Sequence, residues 1–213
     1  MCTGMATDVP VFSDRDSDCF AEEDAARQVP AAGDPRRDDD FALGVLAQAS
    51  ADIDGHLIVV GSEHGRSALT LGAAARAAAR GRVFAVDLFP EPDESTEDDP
   101  RSLDWLLRRV TERELGAWVL PHHGTAATFA RLMPADFRCR LIHLESARAC
   151  RDVATDIFLL EPLLARGGWL TVSASYSNEP GAREALELIS RQRPGLSAWR
   201  LVTPTLLVAQ KRD

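Results

Sequence analysis

The sequence predicts an α/β fold: a mostly parallel seven-stranded sheet with helices on both faces and an antiparallel hairpin at its C-terminus. Three observations carry this. Short apolar runs, Leu57–Val60 first among them, show no polar alternation, as expected of strands buried on both faces. Segments with apolar residues at helical spacing separate those runs, so strand and helix alternate along the chain. Near the end, Trp199–Val202 and Thr205–Ala209 are separated only by Thr203 and Pro204. A connection that short demands antiparallel neighbours.

The elements follow in order. Phe41–Asp52 carries Phe41, Leu43, Val45, Leu46 and Ala49 at mostly helical spacing and reads as a helix before the first strand. Leu57–Val60 is that strand, and Gly61 and Gly65 bracket a turn. Ser67 is the expected cap of a long alanine-rich helix running to Arg80. Val83–Val86 is the second strand, ending at Asp87. The segment from Leu88 to Ser102 holds three prolines and six acids, too polar for a core and too broken for a helix. A loop of that length at a strand's C-terminal end is more often functional than idle, and its acids suit either a cationic substrate or simple solvation. Leu103–Arg113 reads as a helix with Leu103, Leu106, Leu107 and Val110 on one stripe. Trp118–Leu120 is the third strand, giving way to a turn at Pro121, His122 and His123, after which Gly124 and Thr125 cap a short helix through Leu132. Arg140–Leu144 is the fourth strand, Asp152–Ala165 a helix, and Trp169–Ser173 a fifth strand entered through Gly167 and Gly168. Gly181–Arg191 is the last helix before the hairpin.

A chain of 213 residues can bury one good core. Its net charge of −9 is uneven, because residues 1–40 hold 11 acids against 4 arginines. That composition, with Pro10, Pro30, Pro35 and Gly33, predicts an acidic, largely disordered leader over residues 1–40 and an α/β domain over 41–213. The leader is either a solvated tail or a flap over the pocket. No basic patch points to nucleic acid. No run has membrane-spanning length and the N-terminus does not read as a signal peptide, which predicts a soluble, cytoplasmic protein. Cys2, Cys19, Cys139 and Cys150 share no C-x-x-C spacing and read as reduced thiols. The four tryptophans are compatible with a homodimer interface or with the core.

Chemistry concentrates in HLIVVGSEHGRSALTLG, residues 56–72. Gly61, Ser62 and Gly65 permit close backbone approach where a helix N-terminus points its N–H groups at whatever lies above the strand. About 20 residues on, at the end of the next strand, Asp87 stands where nucleoside-binding α/β folds place a ribose-binding carboxylate. The same pair suits a nicotinamide dinucleotide, but the G-x-G-x-x-G spacing is not met.

The order of elements with its terminal hairpin resembles the class I S-adenosylmethionine-dependent methyltransferases, a Rossmann-like fold, over roughly Phe41–Gln210. VVGSEHGRSALTLG resembles the first motif of a small family of these, E-I-G-x-x-x-G-R-S-T, and VFAVDLF its second. LIHLESARACRDVATDIFLLEPLLARGGWLTV resembles its stretch L-I-H-I-D-G-D-H-x-Y-x-x-V-x-x-D-I, with Ile142, His143, Val153, Asp156, Leu163, Gly167 and Gly168 at matching spacing. The resemblance implies an S-adenosylmethionine cofactor and a small-molecule substrate. Gly61, Ser62 and Gly65 would lie at its amino-acid part, Asp87 at the ribose hydroxyls, and Gly124, Thr125 and Ala126 near the adenine.

The departures are specific. Val59 stands where the family has a glutamate, and Glu63 is a displaced substitute. The D-G-D-H segment reads Glu145, Ser146, Ala147, Arg148, and the region after the fifth strand reads Ser173, Ala174, Ser175. In metal-dependent relatives an aspartate at the first position joins acids or an amide after the fifth strand to hold magnesium. A hard cation prefers several charged oxygen ligands, so no catalytic magnesium is expected. Methyl transfer to a hydroxyl then needs a base. His64, His122 and His123 at the ligand edge are the candidates for it. Glu145, the one carboxylate left of the metal set, and Arg148, a clamp for a carboxylate or phosphate or an ion-pair partner of Glu145, complete the candidate catalytic residues. His143, within a strand, reads as a hydrogen-bonded core residue. Two functions follow: a metal-independent small-molecule methyltransferase, in specialised metabolism, or a repurposed member of the fold acting as a non-methylating cyclase or isomerase or as a noncatalytic partner subunit.

Overall fold

The apolar run His56–Val60 forms β1, with Leu57 and Val59 facing one core and Ile58 and Val60 the other. Around it, the computed structural model describes residues 35–61, 64–90, 99–145, 150–173 and 180–212. The elements are α1 (Pro35–Ala49), β1, α2 (Arg66–Ala77), β2 (Val83–Asp87), α3 (Leu103–Glu112), β3 (Val119–His123), α4 (Ala126–Leu132), β4 (Cys139–Leu144), α5 (Cys150–Leu160), β5 (Leu164–Ser173), α6 (Pro180–Gln192), β6 (Arg200–Thr203) and β7 (Leu206–Gln210). Among the described residues, seven strands form one sheet in the order β3-β2-β1-β4-β5-β7-β6. All neighbouring pairs from β3 to β5 are parallel, and β7 runs antiparallel to both β5 and β6. The fold class is the one the alternation of elements predicts, including the reversed strand contributed by the terminal hairpin.

Both faces are covered. Leu43, Leu46, Leu71 and Leu106 from α1, α2 and α3 close over Leu57, Val59 and Leu141. Phe129, Ile157 and Ile189 from α4, α5 and α6 close over Ile58, Ile142 and Leu170. Burial on both sides is why these strands read as continuous apolar runs. No helix among the described residues is long and apolar enough to cross a membrane.

Several boundaries move for physical reasons. The first helix starts at Pro35, six residues before Phe41 and inside the stretch assigned to the leader. Asp39 is buried at 8% exposure and accepts hydrogen bonds from Thr203 Oγ1 and, at 2.9 Å, from Thr205 Oγ1 in the terminal hairpin. Asp40 is paired with Arg66, whose Nε donates at 3.0 Å. These contacts extend the helix beyond its apolar stripe. The cap of α2 is Gly65 in the left-handed conformation, not Ser67, which is buried within the first turn. Pairing of β3 continues through Pro121, His122 and His123, so these residues belong to a strand and not to the expected turn. Proline is tolerated there because β3 is an edge strand. α5 ends at Leu160 because Pro162 sits in a 3₁₀ turn and cannot extend it. Gly167 and Gly168 lie inside β5, where the register against β4 slips between Cys139 and Leu141.

The Asp39 contact has a pH signature. Burial pushes its carboxyl above the ordinary aspartate range, against the pull of the two hydroxyls. The folded chain therefore holds this proton more tightly than the unfolded chain does. The penalty is absent below the ordinary range and grows as pH rises toward the raised value. Urea midpoints of the wild type and Asp39→Asn are expected to coincide near about pH 3 and to separate in favour of the amide toward about pH 7.

Candidate cofactor and active site

The sheet order reverses at β1, which has β2 on one side and β4 on the other, and in open α/β sheets the crevice outside such a switch point receives the ligand. Backbone hydrogen bonds set the strand ends there in a row. Gly124 N donates to Asp87 O at 2.8 Å, Gly61 N to Val86 O at 3.0 Å, and Glu145 N to Val60 O at 2.9 Å. Asp87 thus ends β2, and Gly124, Gly61 and Glu145 follow β3, β1 and β4 along the same edge.

Each position has a local reason. Gly61 has φ +81°, and a Cβ there would lie 3.1 Å from Glu145 O, so a side chain would wedge the ends of β1 and β4 apart. Gly65 has φ +66°, and its Cβ would meet Leu106 Cδ1 at 2.8 Å and Trp105 Cζ3 at 3.3 Å. α3 therefore packs directly on the glycine turn. Ser62 and Glu63 lie outside the described residues. Asp87 is half-buried, two residues beyond the buried Ala85 and so on the same face of β2. One of its oxygens accepts from Phe89 N at 3.3 Å. Thr125 caps α4 through a reciprocal box with Thr128, whose N donates to Thr125 Oγ1 at 3.2 Å while Thr125 N donates to Thr128 Oγ1 at 2.9 Å. Gly124 leaves room for that box, since a Cβ would fall 2.5 Å from Thr128 Oγ1. Ala126 opens the helix and is buried.

The three edge histidines do not converge. His122 and His123 are consecutive in β3 and point to opposite faces. The His122 ring stands edge-on to Phe129, centroids 5.2 Å apart, with Nε2 buried and unpartnered among the described residues. His123 is exposed, its ring 6.3 Å from Phe89. His64 is half-buried between the two glycines, near Asp99. Hydrogen bonds from the Arg101 side chain and backbone hold the Asp99 carboxyl down to about 2, with a smaller contribution from His64.

Glu145 has a different neighbour. His143, two residues earlier in β4 and on the same face, is 2% exposed, and its Nε2 lies 4.0 Å from Glu145 Oε1. Its Nδ1 is 2.9 Å from Thr171 Oγ1, and the Thr171 hydroxyl donates to Ile142 O at 3.2 Å. Burial depresses the imidazole to about 3, so it is neutral under ordinary conditions. The sequence identifies His143 as a hydrogen-bonded core residue; its reach toward Glu145 is signalled only by the i, i+2 spacing that puts alternate strand residues on one face. Arg148 lies outside the described residues. Ser173 ends β5, and among the described residues no group of three or more His, Cys, Asp or Glu side chains is placed to hold a metal ion.

This sheet order and this glycine, carboxylate and glycine edge define a class I methyltransferase fold. Residues 58–173 match the family model described as a methyltransferase domain, and the chain belongs to that family. No curated protein matches the chain. Among solved structures, it is similar to the O-methyltransferase TomG of Streptomyces achromogenes, involved in tomaymycin synthesis and seen with S-adenosylmethionine, at 14% identity over 83% of this chain and 81% of that one, TM-score 0.63. CalS11, a TDP-rhamnose 3'-O-methyltransferase of calicheamicin biosynthesis, gives 14% identity over 83% and 80%, TM-score 0.67. An O-methyltransferase of Bacillus cereus in complex with S-adenosylhomocysteine gives 16% over 93% and 96%, TM-score 0.61. At such identities the likeness is one of fold.

Proposed function

We propose that the protein is an S-adenosylmethionine-dependent small-molecule O-methyltransferase that works without a catalytic metal. The observation that carries this is the row of Gly61, Asp87 and Gly124 at the adjacent ends of β1, β2 and β3. The residues fit the cofactor: Gly61 offers backbone without a side chain at the end of β1, and Asp87 presents a half-buried carboxylate one strand away. In this reading Gly61, Ser62 and Gly65 receive the methionine end, Asp87 accepts from the ribose hydroxyls, and Gly124, Thr125 and Ala126 border the adenine. The cofactor supplies an already activated methyl group, which leaves the protein to orient the acceptor and remove its proton. Glu145 is the base of this reading. His64 is a second candidate near the pocket, whereas His122 is committed to packing on Phe129 and His123 faces solvent.

Metal independence rests on the donor set. In the sequence Glu145 is the one acid left at the positions where relatives converge several, and Ser173 ends β5. Magnesium or a chelator is expected to leave both the melting temperature and the affinity for S-adenosylhomocysteine unchanged, because only a ligand that binds the folded state raises its stability. A thermal shift on adding magnesium would overturn the metal-free assignment. A role in specialised metabolism is supported by the antibiotic pathways of TomG and CalS11. A soluble, cytoplasmic homodimer with an acidic leader ahead of the α/β domain, acting on small molecules and not nucleic acid, completes the reading.

One observation favours the second function, that of a repurposed or noncatalytic member of the fold. Val59, in place of the family's glutamate, is fully buried in the apolar core and has no polar group to offer a cofactor. Calorimetric titration with S-adenosylmethionine and S-adenosylhomocysteine separates the two. Binding of both is expected, and no detectable heat with either would leave the partner-subunit reading.

A further inference from the structure

Pairing of β3 past Pro121 carries an exposed imidazole to the cofactor edge. Asp87 and His123 are register partners in the parallel pair β2–β3. Val83 and Val119, four residues earlier in each strand, are partners too, and both face the core under α1, α2 and α3. Strand residues four apart share a face. Asp87 and His123 therefore stand side by side on that face, one strand spacing of about 4.8 Å apart. The His123 ring is exposed and packs edge-on against Phe89, itself 8% exposed, with ring centroids 6.3 Å apart and 69° between planes.

We propose that His123 is a binding residue for the cofactor's adenine, presenting its ring face to the purine beside the Asp87 carboxylate. The inference rests on the methyltransferase reading and adds a side chain to the backbone turn at Gly124. In that reading the methionine end lies at Gly61 after β1 and the ribose at Asp87 on β2. The methionine part joins the ribose at C5′, and the base leaves from C1′ across the ring. The base therefore extends away from β1 and over β3, the next strand in the sheet. An imidazole there offers a π-face to the purine, and stacking of this kind needs no hydrogen-bond match.

The same geometry removes His123 from the methyl transfer itself. The sulfonium sits between the methionine end and the ribose, hence toward β1, and Glu145 follows β4 on the far side of β1. His123 is two strands from β1, roughly 10 Å, too far to take a proton from the acceptor. His122, its neighbour in sequence, points to the opposite face and packs on Phe129. Of the two β3 histidines, only His123 shares the face of Asp87.

Calorimetry with S-adenosylhomocysteine on the full chain, joined to nuclear magnetic resonance of the complex, tests the proposal. His123→Ala is expected to weaken binding by about five- to a hundredfold, the range for removing one aromatic partner from a base. His123→Phe keeps a ring face and should stay within about threefold of the wild type. Melting temperatures of the free proteins should match, because the side chain is exposed. In the wild-type complex, nuclear Overhauser effects should connect the His123 ring protons, assigned by their loss in His123→Ala, with adenine H2 or H8. Wild-type affinity in His123→Ala, an equal loss in His123→Phe and His123→Ala, or no Overhauser contact overturns the proposal. Should a variant misfold, the wild-type Overhauser contact decides. No binding by the wild type is a different result: it removes the methyltransferase reading, and the adenine contact with it.

Discussion

Phe129→Ala is expected to destabilise the protein by about 3–5 kcal/mol, the range for deleting a fully buried aromatic ring. Phe129 is 0% exposed and lies at the centre of an aromatic cluster, with ring centroids 5.4 Å from Phe84, 5.8 Å from Phe137 and 5.2 Å from His122. The contacts are edge-on or tilted, the geometries that aromatic quadrupoles favour. α4 has only seven residues, too few to be stable as an isolated helix, so this ring and the Thr125 cap are what hold it on the sheet. Losing the ring loosens the Gly124–Thr125 turn as well. Urea unfolding should show the drop in midpoint, and Phe129→Leu should recover much of it. A loss under about 1 kcal/mol for the alanine variant would mean that the cluster relaxes into the vacated space, contrary to the packing described.

The second large effect concerns the ligand edge. Asp87→Ala is expected to weaken S-adenosylhomocysteine binding by several-fold to a hundredfold, equivalent to about 1–3 kcal/mol for hydrogen bonds to a charged acceptor. The fold should survive, because Asp87 is half-buried and stands at the end of β2, where it accepts from Phe89 N at 3.3 Å. Asp87→Asn keeps the shape but loses charge and one acceptor, and should fall between the two. Calorimetry on the three proteins at matched pH reads the series directly. Unchanged affinity in Asp87→Ala would remove the ribose site from this strand end.

Asp87 and the edge histidines show different degrees of legibility. Asp87 could be read from sequence because its position is local: it ends an apolar run a fixed distance after a glycine turn, and the backbone alone carries it to the edge. Gly61, Gly124 and the Thr125 cap were readable for the same reason. The histidines were not, because alternation decides which face a strand residue takes, and the extent of β3 depends on pairing with β2 that no local pattern encodes. Pro121 argued for a turn; its place on an edge strand made the argument moot. Likewise Arg140, read as the start of a strand, is fully buried and donates through Nη1 to Gly55 O at 3.2 Å and Arg80 O at 3.0 Å.

By itself the sequence determined the fold class, the order of strands and helices along the chain, the reversed terminal hairpin and the glycine and carboxylate positions of the candidate cofactor edge. All of these follow from period, turn chemistry and capping, which act over a few residues. Only the tertiary structure decided that α1 begins at Pro35, that His143 rather than His64, His122 or His123 lies beside Glu145, and that its Nδ1 meets the Thr171 hydroxyl. Each of those depends on hydrogen bonds between segments far apart in the chain, Asp39 to Thr203 and His143 to Thr171 among them, and such bonds form only after the sheet has brought its strands into register.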